Sequence, residues 1–256
     1  PLTFISTRCI ILPMVDLTER QRALLKAIIE QYIDTPEPVG SEVIERKFNL
    51  GVSPATIRNE MVKLTEVGFL KQLHTSAGRT PTSLGFRTYI QELMKEKELP
   101  VSAEVSIKEK MWQGRYQYDM LLREAVKALA ERCSMLGLAI DDLNHQVYWS
   151  GASRILDWPE FNDIDVARFV LSLFDEYPTL EAIIGKAVGP DPVHILFGED
   201  LEYENLGQTG FVFTKYEIAP GKGGVVGVIG PARMNFQVVL PYVKYVRDMI
   251  GEAGRI

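Results

Sequence analysis

The strongest constraint on the fold is a change of hydrophobic period at Gly68. Before it, apolar residues recur at the spacing of a helix that buries one face: Ile57, Met61 and Leu64. Ser53 can cap that helix, and Pro54 fits its first turn, where a missing N–H costs nothing. After Gly68, the segment 69–82 combines two short strand patterns with turn residues between them. The sequence therefore predicts a helix that leads directly into a two-stranded ribbon.

Further helices are predicted on both sides of this segment. Asp16 and Glu19 form a capping-box pattern at the start of a first helix, which ends before Pro36 because the residue preceding a proline avoids helical angles. A short second helix is predicted over 41–48, and another over 83–94 beyond the ribbon. Three helices, a ribbon and a further helix make a winged helix-turn-helix.

The second half of the chain alternates helix and strand patterns. A long helix is predicted over 116–135 with Met120 among its inward residues, and Asp163 and Asn235 can cap two later helices. The strand candidates are 136–140, 146–149, 193–197, 210–216 and 225–229. Elements in this order predict an α/β sandwich, so the whole chain is expected to be α+β.

The start of the chain and its charged segments define the expected domains. Residues 1–13 hold one charge and no amphipathic period, and a clean helix start follows Met14. We therefore expect Met14 to be the natural first residue and 1–13 to be an upstream extension. Residues 96–115 are charged and poor in core residues, which indicates a linker. The predicted domains are a winged helix over 14–95 and a sandwich over 116–256.

Net charge differs between the two parts. Residues 1–97 carry +2 and residues 98–256 carry −8, so a polyanionic partner is expected on the first part. No apolar run approaches the roughly 18 residues of a membrane span. Two cysteines cannot form a disulfide framework, so the reducing cytoplasm is the expected compartment. The two cysteines and three histidines are scattered, and no nucleophile stands beside a base. The sequence therefore predicts no metal, no cofactor and no enzymatic activity.

The helix that follows Ser53 has the residue types that read DNA. Its predicted outward residues include Arg58, which can grip guanine, and Asn59, which can pair with adenine. Arg79 is expected to project from a glycine-containing turn beside His74, as a minor-groove or phosphate contact requires. The alternatives are a solvated helix face and a polar hairpin tip. The predicted DNA contacts are Ser53, Ala55, Thr56, Arg58, Asn59, Lys63, His74, Ser76 and Arg79.

Several motifs carry a resemblance to a known family. They are ATIRNEM (55–61), HTSAGR (74–79), PT (81–82) and GFRTYI (85–90), then SGASRILDWPEF (150–161) and VVGVIGPARMNF (225–236). In these the chain resembles the HrcA family of heat-inducible transcription repressors. The resemblance is dense over 16–95 and looser over 116–256.

The resemblance implies a fold and a function. It implies a winged helix followed by a GAF-like domain, and a repressor that binds an inverted repeat upstream of chaperone operons. It also implies that the GroE chaperonin keeps the repressor active and that activity is lost on heat stress. One departure stands out: residues 141–145 replace a longer stretch that holds the family's helical dimerisation insert. The GAF-like domain is therefore expected to be abridged.

An inverted repeat requires two winged helices related by a two-fold axis. Without the insert, we expect a weak homodimer through the helices predicted over 116–135 and 236–250, with Val239 and Val243 on a residual apolar stripe of the second helix. Three other functions stay open at this stage: a winged-helix regulator that binds a metabolite in its C-terminal domain, an enzyme in that domain, and a module that reads no DNA by itself. GAF-like folds often bind small effectors, and a fold alone does not decide function.

Overall fold

The computed structural model describes residues 16–48, 51–74, 77–187 and 189–253. These ranges hold helices together with antiparallel strands, which confirms the α+β class. The expected start at Met14 and the extension over 1–13 lie outside the described residues. Within the described ranges, no helix is both long and apolar enough to cross a bilayer.

The chain divides into two compact units. Unit 1 extends to Gln31 and resumes over Glu37–Tyr89, whereas unit 2 holds Tyr32–Pro36 and continues from Ile90. Along unit 1 the elements are α1 (Glu19–Asp34), α2 (Ser41–Phe48), α3 (Pro54–Glu66), β1 (Leu70–Lys71), β2 (Thr80–Pro81) and α4 (Ser83–Thr88). A π-helical turn over Tyr89–Leu93 continues α4. The predicted order of elements is therefore present.

The N-terminus of α1 is capped by different residues from those predicted. The backbone N–H of Gln21 donates to Thr18 Oγ1 at 3.3 Å, and the backbone N–H of Thr18 donates to Gln21 Oε1 at 3.0 Å. This reciprocal pair is a capping box. The expected box of Asp16 and Glu19 was wrong by two residues, because both positions carry the same pattern of an oxygen acceptor followed by an acid or amide.

The core of unit 1 is built from one face of each helix. Its largest members are Leu24, Leu25, Ile28, Ile29, Ile44, Ile57, Leu64, Phe69, Phe86 and Tyr89. The predicted stripe of α3 is confirmed, since Ile57, Met61 and Leu64 are all buried. Gly68 ends the helix with a φ of 84°, a left-handed conformation that glycine adopts without strain.

Unit 2 contains a single five-stranded antiparallel sheet among its described residues. Its elements are α5 (Val101–Gln113), α6 (Tyr118–Cys133), β3 (Leu136–Asp141), β4 (Gln146–Ser150), α7 (Ile164–Ser172), α8 (Tyr177–Ile184), β5 (His194–Phe197), β6 (Thr209–Ala219), β7 (Lys222–Pro231) and α9 (Phe236–Ala253). The strand order is β4-β3-β7-β6-β5. The five predicted strands are all present.

Helices cover both faces of this sheet. On one face α6 and α9 pack on the strands and against each other, and α5 packs on both of them. On the other face the strands contribute Leu138 and Phe211 to a core that includes Val170 of α7 and Ile183 of α8. The result is a layered sandwich in which the sheet is buried on both sides.

Two expectations about unit 2 were wrong, and one of its helices was not predicted. The segment 96–115, expected as a linker, contains α5, whose buried residues are Ala103, Ile107 and Met111. Helix α8 had no counterpart in the sequence prediction. Met120 was expected to face inward but is 47% exposed. In α5 the buried residues recur every four positions among charged ones, so the average composition of the segment hid a helix with one apolar stripe.

The face of the final helix that was expected to take part in dimerisation is not available for it. Val239 and Val243 were expected to lie on an apolar stripe left open by the final helix. They are 1% and 0% exposed, because that face of α9 packs within the chain itself. A glutamate at either position would therefore probe the core of unit 2 rather than a contact between copies.

A buried ion pair lies between the short helical turn Pro159–Phe161 and the loop that precedes α9. The guanidinium of Arg233 donates from both Nε and Nη2 to the carboxylate of Glu160, and each side chain is only 6% exposed. The indole of Trp158 lies 5.3 Å from the guanidinium carbon. Because both charges are withdrawn from water, removing either one would leave the other buried without a counter-charge.

We expect Glu160→Gln to destabilise the protein, because it leaves the Arg233 charge buried without a counter-charge. The free energy of unfolding should fall by about 3 kcal/mol in urea denaturation. The matched control is Glu202→Gln, which removes an ion pair to Lys186 from a side chain that is 94% exposed. The control should change stability by less than about 1 kcal/mol. Equal effects of the two substitutions would contradict the structural role of the buried pair.

Candidate nucleic-acid interface

The position of α3 follows from its cap and its buried stripe. Ser53 accepts from the backbone N–H of Thr56 at 3.3 Å, and Pro54 occupies the first turn. Ile57, Met61 and Leu64 face the core of unit 1. The opposite face of the helix is therefore left to solvent.

Arg58 and Asn59 lie on that open face. Both are exposed, and within the part of the chain that the structure describes neither side chain has a hydrogen bond or an ion pair. Ala55 is exposed beside them. The hydroxyl of Thr56 is half-buried and lies 3.0 Å from that of Ser53. The helix thus offers one guanidinium and one carboxamide that are free to bind, as the sequence predicted for its outward face.

Lys63 was expected as a DNA contact, and its ammonium already has a partner. Its Nζ donates to Glu60 Oε1 at 3.0 Å, and the amide of Gln21 donates to the same carboxylate at 3.1 Å. The hydrogen bond from Lys63 holds the pKa of the Glu60 carboxyl below its ordinary value. Gln21 and Lys63 therefore share an acceptor that links α1 to α3.

Arg79 does not project from the ribbon. Its side chain is half-buried, and its Nε donates to Thr65 Oγ1 on α3 at 3.0 Å. Its main chain forms a bridge to Val39, with N···O distances of 2.8 and 2.9 Å. The expectation of a projecting side chain was wrong. The sequence shows that Arg79 lies in a polar turn, but it does not show that the Thr65 hydroxyl of α3 lies within hydrogen-bond distance. Arg79 joins the ribbon to α3 and to the segment before α2.

The approach of these two segments requires a glycine. A Cβ on Gly78 would lie 2.5 Å from the carbonyl oxygen of Val39. Any side chain at this position would push the two backbones apart. The glycine in the HTSAGR motif therefore serves the bridge made by Arg79 rather than a flexible tip.

The rest of the ribbon is only partly described. His74 is exposed, and its carbonyl accepts from the backbone N–H of Ala77 at 2.8 Å. Ser76, the remaining predicted contact, lies outside the described residues. Lys71 is exposed on β1. The structure thus places a histidine and a lysine on the outer side of the ribbon.

Two basic residues were absent from the predicted set. Arg46 and Lys47 end α2, the helix that packs on α3, and both are exposed. The signal was present in the sequence as two adjacent basic residues in a last helical turn. The predicted DNA contacts begin at Ser53, so the basic residues of the preceding helix were not included.

Unit 2 offers no comparable set of reactive groups in its described residues. Burial raises the pKa of the Cys133 thiol to about 12, so this cysteine stays protonated at neutral pH. Across the described ranges of the whole chain, no three His, Cys, Asp or Glu side chains are grouped to hold a metal ion. The candidate site of this protein is therefore the surface of α3, the end of α2 and the ribbon.

Comparison with known proteins identifies relatives. A family model described as the HrcA protein C terminal domain matches residues 71–240. The heat-inducible transcription repressor HrcA of Symbiobacterium thermophilum is 28% identical over 342 aligned positions, which cover 95% of this chain and 100% of that protein. The repressor of the same name from Acetivibrio thermocellus is 26% identical and is covered over 96% of its length by 92% of this chain.

The alignments also show a difference in length. Both run over more positions than the 256 residues of this chain, so each relative has internal residues with no counterpart here. Among solved structures, a protein described only as hypothetical, determined at 2.2 Å resolution, matches with a TM-score of 0.73 and 18% identity. The match covers 93% of this chain and 98% of that one and shows a shared fold.

The bond between Arg79 and Thr65 can be measured with a double-mutant cycle. We expect Arg79→Ala and Thr65→Val each to destabilise the protein, and their effects to be coupled by about 1 kcal/mol because they remove one hydrogen bond. Urea denaturation of the two single variants and the double variant gives the coupling. As a control, Lys71→Ala combined with Thr65→Val should be additive. An additive result for Arg79 and Thr65 would mean that the bond contributes nothing to stability.

Proposed function

The chain belongs to the HrcA family, and from this premise we propose that it is a heat-inducible transcription repressor that binds double-stranded DNA through unit 1. The order of helices and ribbon in unit 1 supports a winged helix-turn-helix, in which α2 and α3 form the helix-turn-helix and β1 and β2 form the wing. Helix α3 is then the recognition helix.

The observation that carries the proposal is the free polar pair on α3. Arg58 and Asn59 are exposed, adjacent and unpartnered among the described residues, on a helix whose other face is buried. A guanidinium donates two hydrogen bonds to guanine O6 and N7, and a carboxamide pairs with adenine N6 and N7. The methyl of Ala55 can contact the methyl group of thymine.

The other proposed contacts hold the phosphate backbone. In the first turn of α3, Pro54 has no N–H and the N–H groups of Thr56 and Ile57 donate to Ser53, so the backbone N–H of Ala55 and the hydroxyl of Ser53 suit a phosphate at the helix start. His74 on the ribbon and Arg46 and Lys47 at the end of α2 add donors on exposed positions. Arg79 acts by positioning the ribbon through Thr65, and Lys63 reaches a phosphate only by leaving Glu60.

Unit 2 is proposed as an abridged GAF-like domain. A five-stranded antiparallel sheet with helices on both faces supports this assignment. The connection between β3 and β4 is a four-residue turn, the place where the family resemblance expects an insert. We place the extra internal residues of the longer relatives there. By the same resemblance, the operator is an inverted repeat upstream of chaperone genes, and the GroE chaperonin keeps the repressor active.

Base readout by α3 can be tested with Arg58→Ala. We expect a loss of about 1–3 kcal/mol in binding to the cognate operator and a weaker preference at one or two base pairs. Fluorescence anisotropy with the operator and with single-base variants measures both quantities. The matched control is Arg168→Ala in α7, a side chain that is 67% exposed and lies outside unit 1. An equal loss on all DNA sequences would make Arg58 a phosphate contact.

Regulation can be tested by footprinting. The purified protein should protect an inverted repeat in the DNA upstream of its own gene, and protection should weaken as salt rises. Heating should reduce the protected fraction, and added GroE chaperonin should restore it. No footprint from the purified protein alone would favour a module that needs a second regulator. Protection that chaperonin leaves unchanged would contradict the proposed regulation.

A further inference from the structure

Strand β4 is an open edge of the sheet in unit 2. It is the first strand in the order β4-β3-β7-β6-β5, and its sequence, QVYWS, holds no charge and no proline. Trp149 in this strand is 51% exposed, with its ring 5.6 Å from that of Phe174. The opposite edge, β5, begins two residues after Pro192, whose carbonyl accepts from the Thr214 hydroxyl. Edge strands are usually protected by charges, prolines or bulges, and β4 has none of these.

The register shows which backbone groups of β4 are free. The backbone N–H of Asp142 donates to Gly223 O at 3.1 Å, so Asp142 faces the side of β7. Because backbone direction alternates along a strand, Asp141 faces the other side and bonds to Gln146, its partner in β4. The next residue of β4, Val147, then points its N–H and C=O away from the sheet.

The same alternation applies to Trp149. Tyr148 and Ser150 bond inward to β3, and Val147 and Trp149 direct two N–H and two C=O groups outward. Within the described residues, no hydrogen bond satisfies these four groups. They form a short, regular row of two donors and two acceptors.

The turn before β4 holds this edge in place. The carboxylate of Asp141, which is 1% exposed, accepts from the backbone N–H of Leu143 at 3.0 Å and from the side chain of Asn144 at 2.6 Å. On the face of the sheet that carries α6, the hydroxyl of Tyr148 donates to Asp119 of that helix at 2.7 Å. The start and the middle of β4 are therefore fixed by contacts inside unit 2, and the open edge is preorganised.

We propose that β4 pairs antiparallel with β4 of a second copy of this chain, about a two-fold axis at Tyr148. In this register Val147 of each copy faces Trp149 of the other, and the four free groups of each strand form four hydrogen bonds between copies. The pattern is self-complementary, as a two-fold interface requires. On the face that carries α7, each indole meets a valine, a pairing that stabilises sheets.

Charge also favours a second copy over a charged peptide. The strand itself is neutral, and the charged side chains Asp119 and Arg123 that contact Tyr148 pair with each other at 2.9 Å. Two such neutral pairs meet at the axis without repulsion. The proposal rests on the proposed function only for the need for a two-fold dimer on an inverted repeat. Its structural evidence lies wholly within unit 2.

Analytical ultracentrifugation of the full chain over a range of concentrations tests the proposal. The first variant, Val147→Pro, removes an outward N–H and keeps every bond to β3, a position where edge strands accept proline. The second variant, Trp149→Lys, places a charge on the edge. We expect each to raise the dimer dissociation constant about tenfold or more. The matched control is Ile164→Lys, which changes an apolar side chain that is 64% exposed on α7.

The outcomes separate the interface from the function. A dimer weakened by Val147→Pro and Trp149→Lys but not by Ile164→Lys supports the proposal, whether or not the protein footprints an operator. A monomer at every concentration, or a dimer that both variants leave intact, overturns it even if the operator is bound. Thermal unfolding of each variant shows that the fold is retained. If either variant is unfolded, Trp149→Ser replaces it with the same expected loss.

Discussion

The burial of one face of α3 is the constraint on which the candidate interface depends. Ile57, Met61 and Leu64 can enter the core of unit 1 in only one rotation of the helix, and that rotation turns Arg58 and Asn59 to solvent. The polar surface of α3 is therefore a consequence of packing. Buried residues decide which polar groups of the helix face solvent.

The helix is also held from the side. Gln21 on α1 and Lys63 on α3 share the carboxylate of Glu60, and Arg79 reaches Thr65 near the end of α3. Polar contacts at the surface of unit 1 thus hold α3 in place in addition to its buried apolar stripe. A helix fixed in this way presents its exposed side chains with little backbone conformational entropy left to lose on binding.

The sequence was sufficient where local signals agreed. The stripe and cap of α3, the turn at Gly68 and the five strands of unit 2 follow from periodicity and turn chemistry, and the structure has all of them. It was insufficient where a residue's role depends on a partner distant in the chain. The side chain of Arg79 is held by a hydrogen bond to Thr65, and the buried faces of α5 and α9 pack on each other and on α6. No local sequence pattern shows such contacts. The predicted contact at Ser76 is untested.

The pairing of Lys63 with Glu60 changes how the charge of unit 1 acts in solution. Binding of a protein to DNA weakens with salt in proportion to the number of cations released from the phosphates. In the proposed complex, an ammonium of Lys63 that binds a phosphate displaces a condensed cation from the DNA, and the Glu60 carboxylate loses its ion-pair partner. The lost ion pair offsets part of the free energy of the new contact, so Lys63 should add less to affinity than an unpaired lysine would. An internal ion pair therefore lowers the free energy that a basic residue adds to binding, while its phosphate contact still contributes to the dependence on salt.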